Sequence, residues 1–258
     1  MNLFNFITPT FYKTAFEITC LLLFFICLFH SGITHGWKRT IREFTAGFFL
    51  TACCESVGVL SGAYVYPGFN FYLFQIPIAN PASWIALIYI VMEISNKLVF
   101  KTEVSSSKLI RNKSFIFTIT VLALIDSSFA LVVDLVMDPL ATVYNWWLWV
   151  EPHNTKVLSG DVDLYNFDKA THLFTPDNPI YNFFSEYFVN SSRYPTRLFG
   201  IPIINFISWF IFVFVFAFQF RYVEFHNSWS ELKKTLVLWI LMIIDVPILC
   251  FILIVPNL

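Results

Sequence analysis

The sequence predicts an all-α protein, a polytopic integral membrane helix bundle of about six spans. Of its 258 residues, 57% are hydrophobic and only 13% are charged, and the mean hydropathy is +0.68. An average soluble domain carries about 25% charged residues, so the composition excludes a water-soluble globule. The net charge of −1 gives no basic surface for nucleic acid, and a nucleic-acid partner is therefore excluded.

Six apolar runs are long enough to cross a bilayer, which takes about 20 residues in a helix. Charged and polar segments separate them and set their approximate limits. They cover residues 14–31, 44–62, 82–100, 115–137, 201–220 and 236–255. Together they form a single membrane domain spanning the chain, in which membrane lipids are expected partners.

Basic residues cluster in alternate connectors between these runs. Because Lys and Arg are concentrated in cytoplasmic loops of membrane proteins, these connectors are expected to be cytoplasmic and both termini outside, in a multi-pass protein of the cell membrane. The clustered residues are eleven of the sixteen Lys and Arg: Lys38, Arg39, Arg42, Lys97, Lys101, Lys108, Arg111, Lys113, Arg221, Lys233 and Lys234.

One ordered pattern occurs twice along the chain. Residues 76–84 match residues 201–209 at six of nine positions. Upstream of each nonapeptide, an acid is followed nine residues later by an aromatic pair separated by one residue. The first copy has Glu55 with Tyr64 and Tyr66, and the second has Asp138 with Trp147 and Trp149.

The two copies are expected to form a parallel internal repeat of two helices each, at about 44–100 and 115–222. Parallel repeats are related by an axis along the membrane normal, so both acids and both aromatic pairs are expected near the same face of the membrane. A pocket shared by the two copies follows. The second copy carries an additional polar stretch, 151–197, which is expected to lie outside the membrane.

Glu55 lies on a stripe of small residues. Gly47, Thr51, Glu55, Gly58 and Gly62 recur at spacings of three and four, which places them on one helix face. An ionisable side chain inside a span costs about 3 kcal/mol unless it faces a cavity or a partner. The stripe therefore predicts that a neighbouring element or a flat ligand approaches the backbone beside Glu55.

Asp134 and Asp138 lie four residues apart in the fourth run and share a helix face. Two carboxylates this close in a low-dielectric site resist double ionisation, so one of them is expected to keep a proton, as a general acid must. Pro139 disfavours helical geometry at the residue before it, which predicts that the helix ends at Asp138.

A purely structural role stays open for these acids. Asp126 and Asp134 are also suited to accept hydrogen bonds from Ser127, Ser128 or Asn205. Glu17 and Glu93 are expected to pack or to extend toward the membrane surface. The five cysteines are expected to be small buried apolar residues, and no metal-ligand spacing is present.

The aromatic pairs suggest a particular kind of chemistry. Tyr and Trp gather at membrane interfaces whatever the function, but here they stand at the same distance from an acid in both copies, which also share Trp84 and Trp209. Aromatic faces stabilise cations, and protonation of an alkene gives a carbocation. The pattern therefore suggests alkene protonation in a lipid-accessible pocket.

Residues 55–66, Asp134 and Asp138-Pro139 with Trp147 and Trp149, and residues 200–209 resemble the membrane carotenoid-biosynthesis proteins that include gamma-carotene 1'-hydratase and bisanhydrobacterioruberin hydratase. The similarity covers about residues 55–221. It implies a carotenoid or other polyprenoid substrate, and the addition of water across the terminal C1,C2 double bond of an acyclic carotenoid end group. It implies no redox cofactor, and no other cofactor is expected.

Mapped onto this chain, that activity implies a role for each conspicuous residue. Asp138 or Glu55 would protonate C2, and Asp134 would orient or deprotonate the attacking water. The resulting cation at C1 would lie against aromatic side chains. The residues expected to bind substrate are Gly58, Gly62, Tyr64, Tyr66, Asn80, Trp84, Trp147, Trp149, Asn205 and Trp209.

Two other functions are compatible with the same sequence features. A lycopene-type cyclase would form the same carbocation and capture it with an internal alkene. A transporter or a lipid-binding scaffold would also suit parallel repeats with acids inside the membrane.

Overall fold

The computed structural model describes residues 9–60, 64–74, 76–99, 115–144, 146–149, 197–198 and 201–252. These residues form the all-helical bundle that the composition predicts. The helices are α1 (Pro9–His35), α2 (Trp37–Leu60), α3 (Ala79–Val99), α4 (Phe115–Val143), α5 (Ile203–Glu224) and α6 (Glu231–Ile252). Two-residue strands occur in the connectors: β1 (Tyr64–Val65), β2 (Tyr72–Leu73), β3 (Ile76–Pro77), β4 (Leu148–Trp149), β5 (Arg197–Leu198) and β6 (Ile201–Pro202).

Each predicted span coincides with one of these helices. Three helices are long and apolar enough to cross a membrane, over Phe11–His35, Phe115–Thr142 and Ile203–Glu224, in the part of the chain that the structure describes. These segments lie in α1, α4 and α5 and agree with a membrane protein. That all six helices cross the bilayer stays a prediction, as do the repeat boundaries. The polar stretch 151–197 lies almost wholly outside the described residues.

Helix α3 occupies the centre of the bundle. It packs against α1, α2 and α4, while α5 packs along α4 and against α6, and α6 also packs against α2. The core between them is largely aromatic and aliphatic, with Phe44, Tyr89, Met92, Phe216 and Phe220 buried together. In a bilayer the lipid tails are as apolar as these side chains, so this core stabilises the bundle through close packing and not through removal of apolar surface from water.

A buried ion pair joins three helices away from the connectors that carry the aromatic pairs. The guanidinium of Arg221 in α5 contacts the carboxylate of Asp126 in α4. It also donates to Ser95 Oγ at 2.9 Å and Asn96 Oδ1 at 3.2 Å in α3. Arg221 was expected in a cytoplasmic connector, but it is part of the helical core.

The expected partners of Asp126 were wrong. Ser127 and Ser128 donate to the backbone carbonyls of Ala123 and Leu124, one turn earlier in their own helix. Serine hydroxyls inside helices commonly bond in this way, which leaves them unable to donate to a carboxylate. The buried Asp126 carboxylate then requires another donor. The Arg221 guanidinium is that donor, and it also carries the opposite charge.

Further polar contacts lie at the same end of the bundle. Arg42 near the start of α2 donates to Glu224 at 2.7 Å and to Glu231 at 3.1 Å. His35 at the end of α1 contacts Glu93 of α3 at 2.8 Å, so Glu93 packs within the bundle. The side of the membrane that this end faces stays a prediction.

Helix α4 does not end at Asp138. It continues through Pro139 to Val143, because proline removes one backbone donor but has a helical φ angle itself. The Thr142 hydroxyl donates to the Asp138 carbonyl at 3.0 Å. This bond lies in the turn after Pro139, whereas the carbonyl that Pro139 leaves without its helical donor is that of Leu135, four residues earlier. The backbone preference of a residue before proline is therefore outweighed here, and the Asp138 side chain projects from within a helix.

The Asp126–Arg221 pair gives a first prediction. Asp126→Leu leaves a buried guanidinium without its carboxylate, and removal of one partner of such a pair costs about 3–5 kcal/mol. We expect a large fall in the melting temperature in detergent, with most of it recovered in the double variant Asp126→Leu/Arg221→Met. The control is Glu231→Gln, at a half-exposed pair, which should shift melting little. Equal melting temperatures for the single and double variants would contradict this assignment.

Candidate active site

A cavity of about 310 Å³ lies among helices α1 to α5, beside the connectors that carry the aromatic pairs. It brings together ten of the thirteen residues that the sequence analysis proposes for a site. Residues of both predicted copies contribute to its wall. The ten are Glu55, Tyr64, Tyr66, Asn80, Trp84, Asp134, Asp138, Trp147, Asn205 and Trp209.

Glu55 is buried and held by two tyrosine hydroxyls. Tyr64 and Tyr66 both donate to its Oε2, at 2.8 Å and 2.6 Å. The Asn80 amide in turn donates to the Tyr66 hydroxyl. Burial, together with the nearby Glu55 carboxyl, raises the pKa values of Tyr64 and Tyr66 well above their usual range. Both phenols therefore keep their protons and act as donors.

Gly58 permits this arrangement but does not line the cavity. A Cβ atom at Gly58 would lie 2.2 Å from the Tyr64 hydroxyl oxygen and 2.6 Å from Tyr64 Cζ. The neighbour that approaches the small-residue stripe is therefore the Tyr64 ring, which reaches Glu55 across the helix surface. Gly62, the other glycine proposed for substrate binding, lies outside the described residues.

Asp138 is also buried and receives a side-chain amide. Asn205 Nδ2 donates to its Oδ2 at 2.5 Å, and Trp147 forms a side-chain hydrogen bond with the same carboxyl. Asp134 lies one helical turn earlier and is buried too. Its Oδ2 has no hydrogen-bond partner among the described residues. Asn205, weighed as a donor to Asp126 or Asp134, instead binds Asp138.

The two acids thus have corresponding partners. Each is hydrogen-bonded to the aromatic side chain nine residues after it and is linked to the asparagine of its own nonapeptide, directly for Asp138 and through the Tyr66 hydroxyl for Glu55. The two sets are Glu55 with Tyr64 and Asn80, and Asp138 with Trp147 and Asn205.

The aromatic segments of the two copies pair with each other. Strands β1 and β4 are antiparallel, with Val65 opposite Leu148 and Tyr64 opposite Trp149. Val65 and Leu148 are equivalent positions of the predicted repeat, so the pairing is symmetric about them. An antiparallel pair of this kind is what a two-fold axis requires. The side chain of Trp149 lies outside the described part of the structure.

The nonapeptides also meet at equivalent residues. Trp84 and Trp209 stack with ring centroids 3.5 Å apart and an angle of 8° between their planes. This stack joins α3 to α5 and forms part of the cavity wall. The repeat remains a prediction from the sequence, and these contacts support it.

Helix α1 supplies a wall of the cavity that the sequence analysis missed. Phe16, Thr19, Cys20 and Leu23 line it from one face of α1. Phe16 also stacks on Trp146, with centroids 4.1 Å apart. Because α1 lies outside both copies, no repeat pattern marks these residues. Their spacing of three and four is the sole sequence signal, and it is common to all amphipathic helices.

Glu17 fastens the connector between α2 and α3 to α1. Its carboxylate accepts hydrogen bonds from the Phe71 backbone amide at 2.9 Å and from the Asn70 side chain at 2.7 Å. It is buried, so of the two expected behaviours it packs. The connector is thereby held over the cavity. Among the described residues, no group of three or more His, Cys, Asp or Glu side chains is placed to hold a metal ion.

Comparison with protein families identifies the wider group to which the chain is related. A family model described as "Carotenoid biosynthesis protein" matches residues 16–156, more than half of the chain. The chain belongs to this family. The matched region begins at Phe16, one of the α1 residues that line the cavity. It includes Glu55, Asp134 and Asp138. It ends before Asn205 and Trp209. Searches of curated proteins and of solved structures found no match.

The contact between Gly58 and Tyr64 gives a second prediction. Gly58→Ala should displace Tyr64 from Glu55 and lower carotenoid conversion in a producing host by about tenfold or more, which corresponds to ~1.4 kcal/mol in the barrier. The matched control is Gly32→Ala, where the added Cβ would meet the Trp37 ring at 2.9 Å, at the opposite end of the bundle. Full activity in Gly58→Ala, at an equal amount of folded protein, would contradict this role for Gly58.

Proposed function

We propose that the protein hydrates the terminal C1,C2 double bond of an acyclic carotenoid end group, as a hydro-lyase without a redox cofactor. The observation that carries the proposal is the cavity in which Glu55, Asp134 and Asp138 face one space lined by aromatic rings. Family membership supports a carotenoid or a related polyprenoid as the substrate. The alkene at the end of such a chain needs an acid and a water molecule.

The cavity is suited to retain an acidic proton. No Lys or Arg is among the described residues that line it, so within the described structure the three carboxyl groups have no cationic partner there. Like charges in a site of low dielectric constant resist simultaneous ionisation. A proton therefore remains on the cluster, where it is available for transfer to a double bond.

We assign the proton transfer to Asp138. Asp138 and Glu55 each accept two donors, so the donors do not separate them. Asp134 does, because it lies one helical turn from Asp138 on the same helix face. Two carboxyl groups this close resist double ionisation, so a proton is retained on this pair. Glu55 is therefore assigned to stabilise positive charge from the other side of the cavity.

Asp134 is assigned to the water molecule. Its Oδ2 lacks a protein donor among the described residues and can accept a proton from water. Transfer of the Asp138 proton to C2 leaves a tertiary cation at C1, the water oxygen bonds to C1, and the released proton passes to Asp134. Since Asp134 and Asp138 are one helical turn apart, the proton can return to Asp138. The reaction then consumes one water molecule and no electrons.

The aromatic residues would protect the cation. The Trp147 ring lies edge-on to the Tyr66 ring, with centroids 5.9 Å apart. The Tyr66 ring lies edge-on to the Tyr64 ring, with centroids 5.6 Å apart. The stacked Trp84 and Trp209 rings complete this part of the wall. Aromatic faces stabilise a cation by about 0.5–2 kcal/mol each. They also limit the entry of further water, so that a single water held by Asp134 reaches the cation.

The acid residues give a third prediction, tested in a host that makes an acyclic carotenoid. Wild-type protein should convert it into a product heavier by one water molecule, detected by chromatography with mass spectrometry. Asp138→Asn should lower the yield about 100-fold or more, the range for loss of a general acid, and Glu55→Gln and Asp134→Asn should also lower it. The control is Glu93→Gln, whose carboxyl binds His35 away from the cavity.

Three outcomes would contradict the proposal in different ways. A product of unchanged mass but altered absorption would indicate the cyclase. An unchanged pigment profile with several acyclic substrates would favour a transporter or a binding scaffold. Full hydration by Asp138→Asn would remove that residue from the proton transfer.

A further inference from the structure

The cavity is too small for the whole of a long polyprenoid. Its volume of about 310 Å³ is near the lower limit of pockets that hold drug-sized molecules, about 300–1,000 Å³. If a carotenoid end group occupies the space beside the carboxyl groups, most of the chain must leave the cavity. The chain therefore needs a path from the cavity to the bilayer.

Aromatic contacts bridge the connector end of the cavity. Phe16 of α1 stacks on Trp146, and Tyr12 lies against Tyr144, with ring centroids 5.3 Å apart. These contacts join α1 to the segment that follows α4. An extended chain is therefore directed the other way, along the helices.

An exposed stripe on α3 continues from the cavity in that direction. Ser83 and Leu87 line the cavity, and Ile90, Ile94 and Leu98 follow at spacings of three and four. Ile94 is 43% exposed and Leu98 62% exposed. From Ser83 to Leu98 the stripe is about 22 Å long, at ~1.5 Å for each residue. It contains no charged side chain.

Two helices flank this stripe. Helix α1 packs against α2 and α3, and α4 packs against α3 and α5, so α1 and α4 lie beside α3 on different sides. Both also contribute to the cavity wall, α1 through Leu23 and α4 through Val133 and Met137. The stripe thus continues the cavity wall along α3, on the face between α1 and α4, and we call this face the α3 groove.

We propose that this α3 groove binds the extended hydrocarbon chain of the substrate, which enters sideways from the bilayer between α1 and α4. The inference rests on the proposed function, since it places the end of the same chain beside Asp138. Three observations support this occupant: the stripe continues the cavity-lining positions Ser83 and Leu87, it carries no charged side chain, and aromatic contacts bridge the cavity at its other end.

Paired substrates test the groove by activity. Ile94→Trp should obstruct it about 16 Å beyond Ser83 and raise the KM for a full-length acyclic carotenoid about tenfold or more. A tenfold rise in KM corresponds to ~1.4 kcal/mol. A short acyclic polyprene with the same end group, ending before Ile94, should keep its kcat and KM. The control is Ile240→Trp on the exposed face of α6, which should alter neither substrate.

Photocrosslinking tests the groove without catalysis. A polyprenyl chain with a diazirine at its distal end should label α3 around Ile94 and Leu98, in protein reconstituted in lipid vesicles. Label distributed over all lipid-facing helices, or Ile94→Trp with no effect on long-chain kinetics, would overturn the groove. Label on α3 without any hydrated product would retain the groove and overturn the proposed reaction. Hydrated product with no label on α3 would retain the proposed reaction and overturn the groove.

Discussion

A buried carboxyl group needs donors, and much of this structure supplies them. Glu55 and Asp138 project from different helices into a small apolar space, where each would be costly without hydrogen bonds. The donors come from an aromatic residue nine positions later and from the next helix of the same predicted copy. Because the chain must return over the acid to deliver them, the residues that follow each acid-bearing helix fold back over it, and Gly58 has to leave space for the Tyr64 ring.

The two ends of the bundle satisfy their carboxyl groups differently. At the end away from the connectors that carry the aromatic pairs, Asp126 is paired with Arg221 and Glu224 with Arg42. The charges of these carboxylates are neutralised by their partners, and the pairs hold helices together. At the cavity the donors are phenols, an indole and amides, which carry no charge. A carboxyl group held by neutral donors is still able to gain or lose a proton. That difference in partner separates Asp126 and Glu224 from the acids proposed for chemistry.

The sequence predicts the local parts of the site well. Hydrophobic runs identify all six helices, and the repeated acid, aromatic and asparagine spacing identifies ten residues that line one cavity. Contacts between distant segments are harder to predict. The Asp126–Arg221 pair joins residues 95 positions apart, and no spacing rule connects them. Helix α1 lacks an equivalent in the repeat, so its wall of Phe16, Thr19, Cys20 and Leu23 becomes evident through packing alone.

The prediction that α4 ends at Asp138 was wrong because it applied a local rule without its surroundings. Pro139 disfavours a helical conformation in the residue before it, but the helix continues to Val143. Tyr64 and Tyr66 have a role that their residue type alone does not indicate, because their hydroxyls hold Glu55. That their ring faces stabilise a cation stays a prediction.

The most direct test of the account is isotope incorporation by the purified protein in lipid vesicles. With an acyclic carotenoid as substrate, water labelled with ¹⁸O should place one labelled oxygen at C1, and heavy water should place one deuterium at C2. Asp138→Asn should incorporate neither. Deuterium without labelled oxygen would show that the cation forms but is not captured by water, and a product without either label would contradict acid-catalysed hydration at this cavity.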